Sequence, residues 1–274
     1  MRCACLAEAW LDQRMGDVCL WGEVALEFVA KRLSGLAVEV LRARPPFDDS
    51  ILVVDTYDQR IRQEVLQLPA PRLLVLVDDL GHWLPGYEVI WNPNAYPSED
   101  LYHGFRGRLV TQRVPIRLGL PHWEPRSESV AVALGGGAQS SVLIRAINMW
   151  KERAHARIVA PAVAWTPPEW PSVTAEMMWT EFTTCARLLT GAGTTVWEAA
   201  AVGIPSCVVV TASNQVLIGR WATANGAPVI DATSCDSVPE LAEQIAVGLS
   251  QATVLPGIEN GTAEVADLLA RLAA

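Results

Sequence analysis

The chain has 274 residues, 51% hydrophobic and 19% charged, which is enough apolar material for two folded domains and excludes a disordered chain. A formal net charge of −9, without any run of Lys and Arg, excludes nucleic acid as a partner. No apolar stretch reaches the roughly 18 residues that span a bilayer, and Glu8 and Asp12 stand where a signal peptide would be apolar, so we expect a cytoplasmic protein.

The first 118 residues are predicted to form a Rossmann-like α/β domain that opens with a helix. Residues 2–13 carry apolar side chains at helical spacing, and residues 17–22 follow as a strand. Short apolar runs typical of buried parallel strands come next, at 51–54, 72–77 and 89–91. Because a Rossmann-like unit ordinarily begins with a strand, this domain lacks its usual first strand.

Residues 119–274 are predicted to form a second Rossmann-like domain. A proline-containing stretch at 115–121 interrupts the helix and strand patterns and suits an interdomain linker. Beyond it, apolar runs predict strands at 129–134, 156–159, 187–190, 206–210 and 228–230, with a closing helix at 262–274. The fold class that we predict is therefore α/β, with two Rossmann-like domains.

Polar residues at the end of one strand of the first domain are candidates for acid/base chemistry. Asp78, Asp79 and His82 follow the run at 72–77, and a carboxylate can orient an imidazole and shift its pKa across neutrality. Adjacent strand residues point to opposite faces, so at most one aspartate faces a ligand, and the other caps a loop. A purely structural role for His82 is the alternative.

The strongest local signal is an apolar strand, a loop of small residues and a helix, at 188–205. Such a loop lets a phosphate approach Gly193 closely, where helix N-terminal N–H groups and the hydroxyls of Thr194 and Thr195 can hold it. Glu198, one turn into the helix, is placed to accept hydrogen bonds from a ribose diol. An ordinary strand-to-helix turn is the alternative.

Three consecutive glycines, centred on Gly136, follow the first strand of the second domain. Ser140 stands where a third fingerprint glycine would be, so the dinucleotide signal is weak. The glycines permit close approach of a substrate or of the opposite domain, or they form a plain turn. The six cysteines show neither CxxC nor zinc-ligand spacing, so we expect no metal and no cofactor.

As an ordered set, these motifs resemble the UDP-2,4-diacetamido-2,4,6-trideoxy-β-L-altropyranose hydrolases of pseudaminic-acid synthesis and their spore-coat polysaccharide relatives. The resemblance covers nearly the whole chain. The segments that carry it are 1–3 with 6–7, 54–57, 78–80 with His82, 92–94, 135–137, 191–198 with 203–205, and 214–215.

The resemblance implies the two-domain GT-B fold and a UDP-sugar held mainly by the C-terminal domain, in the cleft between the domains. It implies that Gly193, Thr194 and Thr195 meet the pyrophosphate and Glu198 the ribose. The sugar side would be lined by Asn214 and Gln215, and Gly136 is a further candidate for contact with the ligand. Asp79, His82 and Asn214 are the resulting candidates for catalysis. Ala138 and Gln139 depart from the family pattern, which places an aspartate after its glycines.

Family members begin with a strand and a Gly-x-Gly-His-x-x-Arg loop whose histidine is the proposed general base, whereas this sequence starts at the Met-Arg end of that motif. Either a longer protein carries the missing part, or the chain is a homologue that binds without hydrolysing. Three functions follow as expectations: a hydrolase that releases UDP from an amino-deoxy sugar by inverting water attack, a glycosyltransferase, and a catalytically silent binding protein. The sugar, the base and the oligomeric state stay open.

Overall fold

The computed structural model describes residues 2–21, 27–36, 38–41, 50–69, 71–135, 139–174 and 177–274. The chain divides into two compact units. The first comprises Met1–Arg117 with Glu259–Ala274, and the second comprises Leu118–Ile258. None of the helices within the described ranges has both the length and the apolar character needed to cross a bilayer.

Strands and helices alternate along both units. The strands are β1 (Cys19–Trp21), β2 (Glu39–Leu41), β3 (Ile51–Val54), β4 (Leu73–Val77), β5 (Val89–Trp91), β6 (Arg108–Val110), β7 (Val130–Ala133), β8 (Ile158–Pro161), β9 (Ser172–Val173), β10 (Arg187–Gly191), β11 (Ser206–Val210) and β12 (Val229–Asp231). The α-helices are α1 (Arg2–Asp12), α2 (Glu27–Gly35), α3 (Gln59–Val65), α4 (Ser141–Ala154), α5 (Met178–Phe182), α6 (Thr194–Val202), α7 (Val216–Ala224), α8 (Val238–Ser250) and α9 (Thr262–Ala273).

The first unit contains a four-stranded parallel sheet in the order β3-β4-β5-β6, and β1 pairs with β2 in a separate parallel pair. Every residue of β4 is buried, as expected for a parallel strand covered on both faces. Side chains of α1 and α9, including Leu6 and Leu269, pack with Val75 and Trp91 in one apolar cluster. These two helices therefore cover one face of the sheet.

The observed division into two units differs from the predicted division into 1–118 and 119–274 in the position of the C-terminal helix. Residues 259–274 belong to the first unit because the apolar face of α9 is buried there, with Val265 and Ala266 inaccessible to solvent. The chain enters this helix through a backbone hydrogen bond from Gly261 N to Val114 O, 2.9 Å long. An amphipathic helix shows which face it buries but not which sheet receives it.

The second unit is a six-stranded parallel sheet in the order β12-β11-β10-β7-β8-β9. On one face α4 and α8 contribute Leu143, Ile147 and Ile245 to an apolar cluster with strand residues. On the other face Phe182 of α5 and Ala199 of α6 pack beneath β10. The chain runs outward from β7 to β9 and then returns to the other side of β7, so the strand order reverses between β7 and β10.

The predicted α/β class is confirmed, since both units are built on parallel sheets crossed by helices. The apolar runs at 51–54, 89–91 and 206–210 coincide with β3, β5 and β11. The short strands β2, β6 and β9 were not predicted, because each has only two or three residues and lacks a continuous apolar run.

A buried ion pair holds the loop after β4 in place. Arg62 of α3 is fully buried, and its Nη1 donates to Asp78 Oδ1 at 2.9 Å and to His82 O at 2.6 Å. Its Nε donates to Thr56 O at 2.7 Å. The second oxygen of Asp78 accepts from the backbone N–H groups of Gly81 and His82 at 2.8 and 3.1 Å. One charged pair thus joins the ends of β3 and β4.

We expect Arg62→Met to lower the free energy of unfolding by about 3–5 kcal/mol, because it leaves Asp78 buried without its counter-charge. Arg60→Met is the matched control on the same helix. Arg60 pairs with Asp58 at the same distance of 2.9 Å, but its side chain is 87% exposed. The control should therefore unfold as the wild type does. Urea unfolding measures both, and equal effects of the two substitutions would contradict this account.

Candidate functional site

The reversal of strand order marks one edge of the second unit as a candidate binding edge. In open α/β sheets, ligands bind outside the carboxyl ends of the strands at the point where the order reverses. The register pairs Thr190 of β10 with Ala133 of β7, so both strands end together at that edge. The segments that follow them, beginning at Leu134 and Ala192, flank the reversal.

The turn from β10 into α6 leaves room for a ligand. A Cβ at Gly191 would lie 2.8 Å from the carbonyl oxygen of Leu134, so only glycine lets these two strand ends approach. Gly193 precedes α6 and provides no side-chain cap, and no atom of the described residues lies within 4 Å of the place where its Cβ would be. Val196 N–H donates to Gly193 O at 3.0 Å, so the N–H groups of Thr194 and Thr195 are the ones that can serve an external acceptor.

The hydroxyls of Thr194 and Thr195 open the same helix. Both residues are half-buried. Within the described part of the chain, neither hydroxyl makes a hydrogen bond with another residue. The helix N-terminus thus offers backbone and hydroxyl donors together, which is the combination that an anion requires.

Glu198 lies one turn further along α6 and is only 4% exposed. Its Oε2 accepts a hydrogen bond from Trp179 Nε1 at 3.2 Å. The carboxylate is therefore held by α5, an arrangement that the sequence analysis did not anticipate. Trp179 gave no signal in the sequence, because its contact with Glu198 joins two separate helices.

Asn214 and Gln215 follow β11, the neighbour of β10, in a short 3-10 turn at Ser213–Gln215. The side-chain oxygen of Gln215 accepts from the N–H and the hydroxyl of Thr211, at 2.8 and 3.1 Å. Asn214 is exposed. Both residues lie at the candidate binding edge, where the side-chain oxygen of Gln215 stabilises the turn and Asn214 is accessible to solvent.

The glycines after β7 are described only in part. Gly135 has a φ of +94°, which favours glycine, and its carbonyl oxygen accepts from Trp165 Nε1 at 2.6 Å. The side chain of Gln139 donates to Leu134 O at 3.1 Å. Gly136 lies outside the described residues, so its predicted contact with a ligand stays a prediction.

In the first unit, Asp79 lies two residues after the end of β4, in a hydrogen-bond network with residues that were not predicted as site residues. Its Oδ2 accepts from Arg2 Nη1 and from the Tyr57 hydroxyl, both at 2.9 Å. Its Oδ1 is buried and has no hydrogen-bond partner among the described residues. Arg2 also pairs with Asp55 at the end of β3. Partial burial raises the pKa of Tyr57, so its hydroxyl stays protonated as a donor to Asp79.

His82 is exposed and is not joined to Asp79. Its backbone is engaged by Arg62 and Asp78, as described above. Its imidazole makes no hydrogen bond to another residue in the described part of the chain. The structure therefore does not form the carboxylate–imidazole pair that the sequence suggested.

No group of three His, Cys, Asp or Glu residues within the described ranges is arranged to hold a metal ion. Cys185 and Cys207 are buried, and burial raises the pKa of the Cys207 thiol to about 12. These two thiols therefore remain protonated and pack as small apolar groups.

A surface depression of about 690 Å³ lies at the amino ends of β7 and β10, lined by Trp123, Arg126, Glu128 and Arg187 among others. This is the edge of the sheet opposite the α6 N-terminus. Its polar lining is wide open to solvent and converges on no buried donor or acceptor, so we place the candidate site at the carboxyl edge instead.

No protein-family model matches the chain, and no match to a curated protein sequence was found. Solved structures do resemble it. Over 96% of this chain and 90% of the other, the TM-score with Staphylococcus aureus MnaA bound to UDP is 0.61 at 12% identity. The TM-score with Acinetobacter baumannii MurG is 0.57 at 14% identity, over 99% of this chain and 95% of the other. The TM-score with the glycotransferase of kitacinnamycin is 0.55 at 14% identity, over 100% of this chain and 95% of the other. At such low identity these likenesses show the fold, which is the two-domain GT-B fold.

Proposed function

We propose that the chain uses a nucleotide-activated sugar, and that its second unit binds the nucleoside diphosphate at the carboxyl edge of β10 and β7. The observation that carries this proposal is the uncapped N-terminus of α6 at the reversal of strand order, next to Gly193 and the unengaged hydroxyls of Thr194 and Thr195. UDP is the first candidate, because the MnaA structure was solved with UDP.

The pyrophosphate would accept hydrogen bonds from the first-turn N–H groups of α6 and from the two threonine hydroxyls. Glu198 would accept hydrogen bonds from the ribose diol. The sugar would meet Asn214, the side-chain amide nitrogen of Gln215, and Gly136. These assignments extend the sequence resemblance, and the placement of Asn214 and Gln215 beside β10 supports them.

Glycosyl transfer to an alcohol is the reaction that we propose first. The MurG and kitacinnamycin structures share this fold, and the latter is described as a glycotransferase. In an inverting transfer, the acceptor oxygen forms a bond to the anomeric carbon and its proton passes to a base or to solvent, while the bond from that carbon to the diphosphate breaks and UDP leaves. The helix dipole and hydroxyl donors of α6 would stabilise the charge that develops on the departing diphosphate.

Hydrolysis is the second candidate, and the free oxygen of Asp79 favours it. A buried carboxylate oxygen without a donor can accept a proton from water, as a general base must. Arg2 and Tyr57, which bind the other oxygen, would hold the carboxylate in position. The sugar expected from the family resemblance is the amino-deoxy altropyranose of pseudaminic-acid synthesis, and His82 or Asn214 would then assist catalysis.

The pyrophosphate assignment predicts that replacing Thr194 and Thr195 together by Ala lowers UDP affinity by about tenfold or more. The double substitution removes two hydroxyl donors to a charged acceptor, each contributing about 1.5–3 kcal/mol when well formed. Titration calorimetry with UDP measures the loss, and thermal unfolding checks the fold. Unchanged affinity in a folded double variant would show that this turn is purely structural.

The two reactions differ in the fate of water. For transfer, we expect that UDP release from a UDP-sugar depends on an added alcohol acceptor, and that ¹⁸O from labelled water does not enter the sugar. For hydrolysis, release proceeds at full rate in water alone and the label appears on the sugar at C1. Asp79→Asn should then abolish release while UDP binding is retained. UDP binding without turnover under either condition would contradict both reactions.

A further inference from the structure

Two tryptophans lie in the loop that joins β8 to β9, at residues 162–171. Trp170 is buried, with 2% of its surface exposed, and its Nε1 donates to Asn148 Oδ1 at 2.6 Å. Trp165 is half-buried and packs edge-on against Trp170, with ring centroids 6.4 Å apart and an interplanar angle of 79°. The buried tryptophan thus anchors the loop, while the indole of Trp165 keeps part of its surface accessible to solvent.

A hydrogen bond places the indole of Trp165 at the carboxyl end of β7. Its Nε1 donates to the carbonyl oxygen of Gly135 at 2.6 Å, and Gly135 comes two residues after β7 ends. The hydroxyl of the next residue, Thr166, donates to Pro161 O at 2.6 Å and ties the loop to the end of β8. The indole is therefore held in a fixed position at the candidate binding edge of the second unit.

Packing alone does not account for an indole in this position. A large apolar ring gains most from complete burial, as Trp170 shows in the same loop. Trp165 is fixed by its N–H and by one ring contact, yet its ring stays partly accessible at a ligand-binding edge. An aromatic ring held in this way can serve as a stacking surface for a nucleobase, because every base has a π face.

The strand order sets the side of the α6 N-terminus on which a base would lie. Asn214 and Gln215, assigned above to the sugar, follow β11, whereas Trp165 follows β8. In the order β11-β10-β7-β8, these two sides flank β10, from which the chain enters α6. The sugar and the nucleoside are attached to opposite ends of the diphosphate, so a sugar on the β11 side directs the nucleoside towards β8. Two strand spacings separate β10 from β8, about 10 Å, which a nucleoside can span.

We propose that the indole of Trp165 is the platform on which the nucleobase of the nucleotide-sugar stacks. This inference rests on the nucleotide site proposed above and adds the subsite for the base. Stacking uses the π face that all bases have, so the platform recognises a planar base without distinguishing strongly among bases. The affinity gained in this way depends on the aromatic character of the base and not on the donors that hold the diphosphate.

Titration calorimetry with UDP and with 5,6-dihydro-UDP tests the platform. The dihydro base keeps the same hydrogen-bonding groups but is neither planar nor aromatic, so the ratio of the two affinities reports stacking. We expect the wild type to bind UDP about fivefold or more tightly than dihydro-UDP, and Trp165→Leu to reduce this preference to about twofold or less. Trp165→Phe removes the N–H and keeps an aromatic ring, so it should retain most of the preference.

Trp123→Leu is the matched control. Trp123 is also half-buried, and it also donates its Nε1–H to a backbone carbonyl, that of Cys185, at 2.9 Å. It lies at the amino edge of the same sheet, so its replacement should leave both affinities unchanged. Replacing Thr194 and Thr195 together by Ala should weaken both nucleotides equally and keep the preference, because it removes donors to the diphosphate. Thermal unfolding checks the fold of each variant.

The outcomes separate this inference from the proposed function. A wild type that binds neither nucleotide contradicts the nucleotide site itself. A wild type that binds both nucleotides equally overturns the platform without any variant, as does a preference that persists in folded Trp165→Leu. An equal loss of preference in Trp165→Leu and Trp165→Phe also overturns it, since the hydrogen bond to Gly135 would then explain the effect. The same loss in Trp123→Leu would show a general weakening of the unit instead of stacking.

Discussion

The reversal of strand order between β7 and β10 is the constraint on which the candidate site depends. Because crossovers lead away from this point in both directions, the segments that follow the two strands separate there and leave the strand ends accessible. Gly191 lets the strand ends approach, and α6 begins immediately beyond them. The dipole and donors of that helix thus face the opening that the topology creates.

Two buried carboxylates illustrate different uses of charge in this chain. Asp78 is saturated by Arg62 and by backbone N–H groups, so it organises a loop and has little capacity for a ligand. Glu198 lies beside an apolar cluster, and the neutral indole of Trp179 donates a hydrogen bond to its Oε2. A neutral donor orients a carboxylate without supplying a full counter-charge, unlike the guanidinium beside Asp78.

Asp79 falls between these two cases. One of its oxygens is bound by Arg2 and Tyr57 while the other is buried without a partner in the described residues. The guanidinium and the phenol hydroxyl fix the orientation of the carboxylate through one oxygen, so the other oxygen is held in a defined position. The neighbouring positions Arg2, Asp55 and Tyr57 are therefore as important to this edge of the first unit as the Asp-Asp-x-x-His pattern that the sequence displays.

The sequence by itself determined the α/β class and most of the strands, because strands covered on both faces, such as β3, β5 and β11, need continuous apolar runs that are visible without any partner. It also placed the small-residue turn before α6, since glycines and threonines at a strand-to-helix junction act locally. Only the tertiary structure assigned α9 to the first unit, paired Asp78 with Arg62 rather than with an imidazole, and set Trp179 against Glu198. Each of these depends on which surfaces meet across long stretches of chain, and local pattern carries no information about that choice.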